Sequence, residues 1–372
     1  MSPDTAQPER GMEWALSGYN APLQVRACTQ NDARAWEEFV ARHPGTHFFH
    51  RFGWKRVVER SLGHAAFYRC AWRNGRLTGI LPLILVKSRL FGTALISTGF
   101  GTAGGIAADD ADSARALADD AVRLGHELQA DFVELRQEVP PQGGTSLDPA
   151  SGWIAKPELY FGFRRALLPS AEENLNAVPR KKRADLRKAI ANPALSVDAA
   201  ADIDTFFAIY GESLRNLGTP ILPRGFYAAI AEEFGREVEI SAVSGPHGPV
   251  AALMTFFFKD RVLPYYGGAT PDARPLHAYD LMYWRLMERA LERGAKVYDF
   301  GRSKRGTGAF DYKTYWGFAP EPLAYRYRLV KSQRLPEINP LNPKYRLQIA
   351  LWRHLPLAIS NRLGPFIARQ LG

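Results

Sequence analysis

Residues 297–318, VYDFGRSKRGTGAFDYKTYWGF, set the organisation of this chain. The segment starts as an apolar strand, VYDF, and breaks at Gly301, Gly306 and Gly308 into a basic, glycine-rich turn. It resumes as a short aromatic helix, FDYKTYWGF, closed by Gly317. A strand, a glycine turn and then a helix present backbone N–H groups to an anion or to a developing oxyanion. Arg302, Lys304 and Arg305 add positive charge to the turn, and Lys313 follows one helical stride beyond it. The competing reading is a solvated basic loop that caps a sheet edge, since glycine-rich turns are common.

At 372 residues the chain has room for two ordinary domains. Its 46% hydrophobic and 23% charged residues are those of a soluble globular protein. Cys28 and Cys70 make no disulfide framework and have no metal-ligand spacing, so no metal site is expected and a reducing cytoplasm fits. The first residues, MSPDTAQPERGMEW, are partly acidic and lack the apolar core of a secretory signal. No run of about 18 apolar residues is present, so no membrane span is expected. The net charge of +10 implies an anionic partner: phosphates, nucleic acid or an acidic membrane face.

Residues 1–21 read as a disordered leader. A strand at 25–28 and a helix over 33–43, with Trp36, Phe39 and Val40 at helical spacing, follow. A second helix carries Phe49, Trp54, Val57 and Val58 on its apolar face and Arg51 and Lys55 on another. That basic pair either solvates the helix or contacts phosphate at a domain junction. AFYRCAW, GRLTGILPLILVKSRLFG and ALISTGFG read as successive strands, with Pro82 marking a bulge or an edge. GTAGGIAADD lacks the lysine of a phosphate loop and reads as a structural turn. A helix over 113–128 and the strand DFVELR complete a β-α-α-β-β-β-α-β pattern, which suits a GNAT-like acyltransferase half with a central mixed sheet.

The Pro/Gly-rich residues 138–154 read as an inter-strand loop or domain link. After the strand YFGFRRALL, Ser170 and Glu173 fit a capping box, and Pro179 is expected as the first residue of a second helix, PRKKRADLRKAI. Arg183 and Arg187 share one face of that helix, where side chains and dipole act together on an anion. A solvated face, a tRNA contact and a diphosphate contact all fit this stripe. Helices over 203–217 and 226–234, strands over 238–243, 250–258 and 261–266, and a helix over 278–293 follow. A CoA-binding R/Q-x-x-G-x-G/A loop is expected before the last helix of an acetyl-CoA-dependent GNAT. The sequence there is GGATPDARPLHAYD, without that glycine pattern, which favours another donor.

FGRSKRGTGAFDYKTYWGF followed by PLAYRYRL resembles the C-terminal motif of the FemAB-like proteins, which include the aminoacyltransferases that build peptidoglycan cross-bridges. The resemblance is closest to the branch associated with exosortase (PEP-CTERM) and exopolysaccharide gene clusters. It extends through the tryptophan-bearing helix, LPLILVKSRLFG, GGI and ELR of the first half and the KKR–RK helix of the second. It implies an α/β (α+β) chain of two tandem GNAT-like domains with central mixed sheets, at 22–158 and 159–330; residues 331–372, the least family-like part, read by their own pattern as a basic amphipathic tail. No bound cofactor is implied; the donor co-substrate is aminoacyl-tRNA or acyl-CoA, and the acceptor is a cell-envelope or saccharide precursor. By the same resemblance Lys313, after the aromatic Tyr312, aims at the oxyanion, and Ser303, Lys304 and Gly306 line an anion pocket with Arg302. Arg183 and Arg187 are candidates for a diphosphate, and Lys55 for a phosphate at the junction. Asp299 or Asp311 is the candidate proton acceptor, although each also has a plain structural role, at a strand end and at a helix start.

The tail carries Leu347, Leu351, Leu355, Ile359, Leu363 and Ile367 as an apolar stripe among arginines, with no acid after Glu337 and with Pro356 and Pro365 interrupting the helix. It either packs back on the second half or lies in the interface of an anionic membrane through residues 340–372. A cytoplasmic protein, peripheral at the inner membrane face, fits the second reading. Two other functions fit the sequence: a CoA-dependent N-acyltransferase, and a non-catalytic protein that holds RNA or an anionic polysaccharide.

Overall fold

The computed structural model describes residues 22–89, 91–138, 152–156, 160–335 and 346–372. The expected leader and most of the expected link fall outside them. Among the described residues three sheets form, and no helix is long and apolar enough to cross a membrane.

The first half holds an antiparallel sheet in the order Gln24–Ala27, Arg69–Arg73, Arg76–Leu81, Ala107–Ala108. Pro82 is where the chain leaves this sheet and enters a second one. The second sheet runs Ala65–Ala66, Leu83–Ser88, Gly92–Ser97, Phe132–Gln137, Ala324–Leu329, Ile154–Ala155. Gly92–Ser97 and Phe132–Gln137 are parallel, as a crossover through the helix Ala111–Glu127 requires. Asp110 caps that helix by accepting from the Ser113 N–H. GTAGGIAADD is packed rather than open: a Cβ at Gly104 or Gly105 would strike Thr98 or Gln137.

The second half is a seven-stranded sheet in the order Ser196–Asp198, Val238–Gly245, Gly248–Phe258, Arg261–Ala269, Val297–Lys304, Tyr160–Ala166, Pro320–Pro322. Gly248–Phe258 is buried on both faces from Val250 to Phe256, which is why VAALMTF reads as an unbroken apolar run. Ser170 and Glu173 form the capping box of Ala171–Ala177. Pro179 differs from expectation by one position: its ψ of 141° is extended, so it caps Arg180–Ile190 from outside rather than opening it.

Ala324–Leu329, which the sequence groups with the second half, pairs antiparallel with Phe132–Gln137 of the first, from Ala324 opposite Gln137 to Leu329 opposite Phe132. Tyr325 and Tyr327 turn inward from it. The two halves also share one core. Phe48 stacks on Phe256 at 4.3 Å between centroids and meets Phe234 at 4.6 Å, and Phe49 meets Tyr265 at 4.8 Å. Arg51 joins Glu37 to Glu237 across the same seam, at 2.6 and 2.5 Å. The mixed α/β architecture with tandem halves is therefore present, and the halves are welded by aromatic packing and a crossing strand.

The tail forms helices at Arg346–Arg353 and Leu357–Ala368. Pro356 separates them, whereas Pro365 lies inside the second helix rather than ending it. Both pack on the helix Ile203–Leu217.

Candidate active site

The parallel strands Arg261–Ala269 and Val297–Lys304 pair only at Arg261–Val297 and Val262–Tyr298. Beyond that point they diverge. Both strands are irregular where they part. Tyr265 is extruded from the ladder, since Met254 faces Tyr266 while Thr255 faces Pro264, and Pro264 has no N–H to give. On the other strand the register slips between Gly162 and Arg164, opposite Arg302 and Asp299, and Gly301 takes a φ of 67°. The gap is a cleft of about 220 Å³. Pro264, Tyr265 and Tyr266 line one side and Phe300, Gly301 and Arg302 the other, with Lys313 from the helix Gly308–Tyr315, Thr102 from the first half and Tyr210. Gly301 is needed for its backbone angle alone, because a Cβ there would meet nothing within 4 Å. Gly301→Ala is expected to cost about 1–2 kcal/mol through the left-handed φ, measurable by urea unfolding; an unchanged stability would contradict that reading of the bulge.

Thr307 caps the helix Gly308–Tyr315 by accepting from the Phe310 N–H, and the helix start turns Lys313 back toward the bulge. The Lys313 Nζ donates to the Arg302 carbonyl at 3.1 Å and lies over the rings of Phe163 and Phe300 at 5.4 and 6.0 Å. Burial disfavours its ammonium, Asp299 opposes that and the Arg302 guanidinium adds to it, and the balance holds Lys313 down to about 7. Lys313 is thus a lysine able to change charge near neutrality at the wall of a cleft.

Arg302 is held from both halves. It donates to the Tyr325 hydroxyl at 2.8 Å, and Tyr325 donates to the Thr102 carbonyl at 2.5 Å. Its guanidinium lies over Tyr160 at 4.3 Å. Burial opposes its charge, but the surrounding tyrosine oxygens outweigh this and hold the guanidinium above its ordinary value. Lys304 lies over the same Tyr160 ring at 5.0 Å. Burial pushes the Tyr160 phenol up, and Arg302 and Lys304 outweigh it, leaving the phenol below its usual range.

Asp299 is buried, with Oδ1 accepting from the Gly301 N–H at 2.8 Å and Oδ2 at 3.9 Å from His47 Nε2. Burial raises its carboxyl, but His47 and the Gly301 N–H prevail and hold it below the carboxylate range. Glu138 is 4.0 Å from the same His47 nitrogen. His47, Glu138 and Asp299 are the group among the described residues whose geometry could take a cation. Glu138, however, already accepts from Arg164 at 2.6 Å and pairs with Arg261 at 3.5 Å, so two guanidinium groups oppose a metal there.

The expected site residues are therefore only partly brought together. Arg302 and Lys313 line the cleft, with Asp299 acting on Lys313 through space. Ser303 is buried with no partner for its Oγ among the described residues, and Gly306 takes a φ of 77° in the turn. Tyr312, next to Lys313 in sequence, faces elsewhere: its hydroxyl donates to Asp280 at 2.7 Å, which also pairs with Lys182 at 2.5 Å. Asp311 is exposed in the first turn of its helix, where a negative charge suits the dipole. Arg183 donates to the Asn176 carbonyl at 2.6 Å, and Arg187 is exposed on the same helix; neither lines the cleft. Lys55 is tied locally to Glu59 at 2.6 Å and to the Ala66 carbonyl at 3.2 Å. His47, Glu138, Tyr160, Tyr210 and Tyr265 were not picked out by the sequence. HFFH carried a usable signal, because two histidines flank an otherwise apolar run.

Residues 178–314 match a family model described as an acetyltransferase (GNAT) domain. No curated protein matches the chain in sequence. Solved structures do match in fold. FemX superposes with a TM-score of 0.66 at 15% identity, over 87% of this chain and 99% of its own. A tandem GNAT protein from the clavulanic acid biosynthesis pathway gives 0.55 at 13%, over 84% and 100%. L-PGS from Bacillus licheniformis gives 0.53 at 12%, over 89% and 99%. The splayed strands, the helix that returns Lys313 to their gap and the matched residues coincide in one place: the chain has the fold of the tandem GNAT proteins, and residues 178–314 of its second half match the GNAT acetyltransferase domain model.

Proposed function

We propose that this protein is an acyl- or aminoacyltransferase that modifies an amine or hydroxyl of a cell-envelope or exopolysaccharide precursor, in a cell that carries an exosortase (PEP-CTERM) system. The observation that carries the proposal is Lys313, a lysine pulled down to about 7 at the point where the strands part. In the reaction the acceptor nitrogen or oxygen bonds to the acyl carbon, and the ester or thioester bond to the donor breaks. The acceptor's proton ends on the departing oxygen or sulfur. The Lys313 ammonium stabilises the oxyanion between these events. Arg302, fixed by Tyr325, keeps the field of the cleft positive, and Asp299 with His47 is the adjoining group able to relay a proton.

The turn before the helix Ala278–Glu292 supports an aminoacyl-tRNA donor over acyl-CoA. It is a Pro271–Ala273 turn without the glycine loop, and the buried Asp280 carboxylate occupies the first turn of that helix. Asp280 is already paired with Lys182 at 2.5 Å, so the missing glycine loop alone carries this preference. Arg183, Arg187 and Lys55 are then proposed as outer contacts for phosphates of the donor or acceptor, since the first two stand on an exposed basic helix.

The pH profile tests the role of Lys313. The ammonium is the active form in this proposal, so kcat/KM is expected to fall as pH rises through about 7. A rate that climbs through the same point and levels off would make Lys313 a base instead.

A further inference from the structure

The tail presents an inverted amphipathic surface. On the helix Leu357–Ala368 the buried positions are Ser360, Gly364 and Ala368, a stripe of small residues at helical spacing. A Cβ at Gly364 would touch the backbone of Ile221 at 3.0 Å, so this side is a close seam against the rest of the protein. The large apolar side chains point the other way: Ile359, Leu363 and Phe366 are 44%, 46% and 56% exposed. The helix Arg346–Arg353 repeats the pattern, with Leu347 and Leu351 at 70% and 62% exposure while Ile349 packs over Gly218. Leu217, which ends the helix beneath, is also exposed. A tail whose only task was to cover the second half would bury its leucines and expose its serine and glycine.

The charge around these side chains has a single sign. Arg346, Arg353, Arg362 and Arg369 are exposed along both helices, and residues 346–372 contain no aspartate or glutamate. The Arg369 guanidinium lies over the Phe366 ring at 5.2 Å, so apolar and cationic groups form one face. The seam is anchored to both halves. Arg215 donates to the Leu355 carbonyl at 3.4 Å, His64 bonds the Arg369 carbonyl at 2.7 Å, and Arg136 donates to the Gly372 carbonyl at 3.3 Å.

We propose that this face docks on an anionic lipid bilayer, its leucines and Phe366 entering the headgroup–acyl boundary and its arginines pairing with lipid phosphates. A lipid surface satisfies both properties together, apolar insertion and attraction to negative charge. The inference is independent of the chemistry in the cleft.

Cosedimentation of the full chain with large vesicles tests it, using phosphatidylcholine alone and phosphatidylcholine containing about one third phosphatidylglycerol. Binding is expected to be at least about tenfold tighter to the anionic vesicles and to weaken with salt. The variant Leu351→Ser/Leu363→Ser/Phe366→Ser is expected to lose about tenfold or more in vesicle affinity with little change in melting temperature, since none of the side chains it alters is buried in the core. Arg346→Glu/Arg362→Glu is expected to remove the preference for anionic lipid. The proposal is overturned if the chain stays in the supernatant with anionic vesicles, or if the serine variant binds them as the parent does. It is also overturned if sedimentation of the lipid-free protein shows a dimer that the serine variant dissolves, because the face would then belong to a second copy.

Discussion

Lys313→Met is expected to lower kcat about 100- to 1000-fold, the loss that follows removal of one oxyanion donor. The same variant is expected to melt at a higher temperature than the parent at neutral pH. The ammonium costs folding free energy because burial disfavours it, and methionine removes that cost while filling similar space over Phe163 and Phe300. The pH dependence follows from protons bound. Between about 7, the folded value, and the usual lysine value of 10.5, the unfolded chain binds the extra proton, so the parent gains stability as pH rises across that window. The stabilising effect of Lys313→Met should therefore be largest at or below neutrality and vanish toward the alkaline end. A variant that kept its turnover would separate Lys313 from the chemistry. One that lost both turnover and stability would make the residue a structural support.

Phe48→Ala is expected to destabilise the protein by about 3–5 kcal/mol. Phe48 is fully buried, stacked on Phe256 with an interplanar angle of 4° and touching Trp54, Phe234 and Phe258. It comes from the first half, whereas three of these four partners come from the second. Its neighbour Phe49 packs on Tyr265, the residue extruded into the wall of the cleft. Loosening this seam should therefore also widen the cleft, raising KM more than it lowers kcat. Equilibrium urea unfolding with the parent and variant measures the first effect. A loss below about 1 kcal/mol would mean that the halves do not depend on this aromatic contact.

The elements of this fold were legible because each is a local pattern. Capping by Ser170 and Glu173, the buried run VAALMTF and the glycine turn at 301–308 announce themselves within a few residues. The partners were not legible. Alternation in AYRYRL says strand, but nothing in it says that the strand crosses to Phe132–Gln137 of the other half. Burial patterns within the helix Gly308–Tyr315 do not tell that Tyr312 turns to Asp280 while Lys313 turns to Arg302. The basic stripe was visible, yet Arg183 donates to a carbonyl seven residues upstream, a contact that no charge pattern encodes. His47 meets Asp299 across most of the chain, so a site assembled from both halves shows only one of its sides to a reading made along the sequence. The tail was readable as amphipathic, but which face it buries depends on the close approach of Gly364 to Ile221 and of Asn361 to Gly211.

The most direct test of the account is transfer itself. The full chain is incubated with radiolabelled aminoacyl-tRNA and, separately, radiolabelled acyl-CoA, together with an amino-sugar acceptor linked to a lipid diphosphate. The account predicts that label passes from the tRNA to the acceptor in an amide or ester, and that Lys313→Met all but abolishes it. Acceptor binding without transfer from either donor would contradict it and make the basic cleft a binding site rather than an enzyme's.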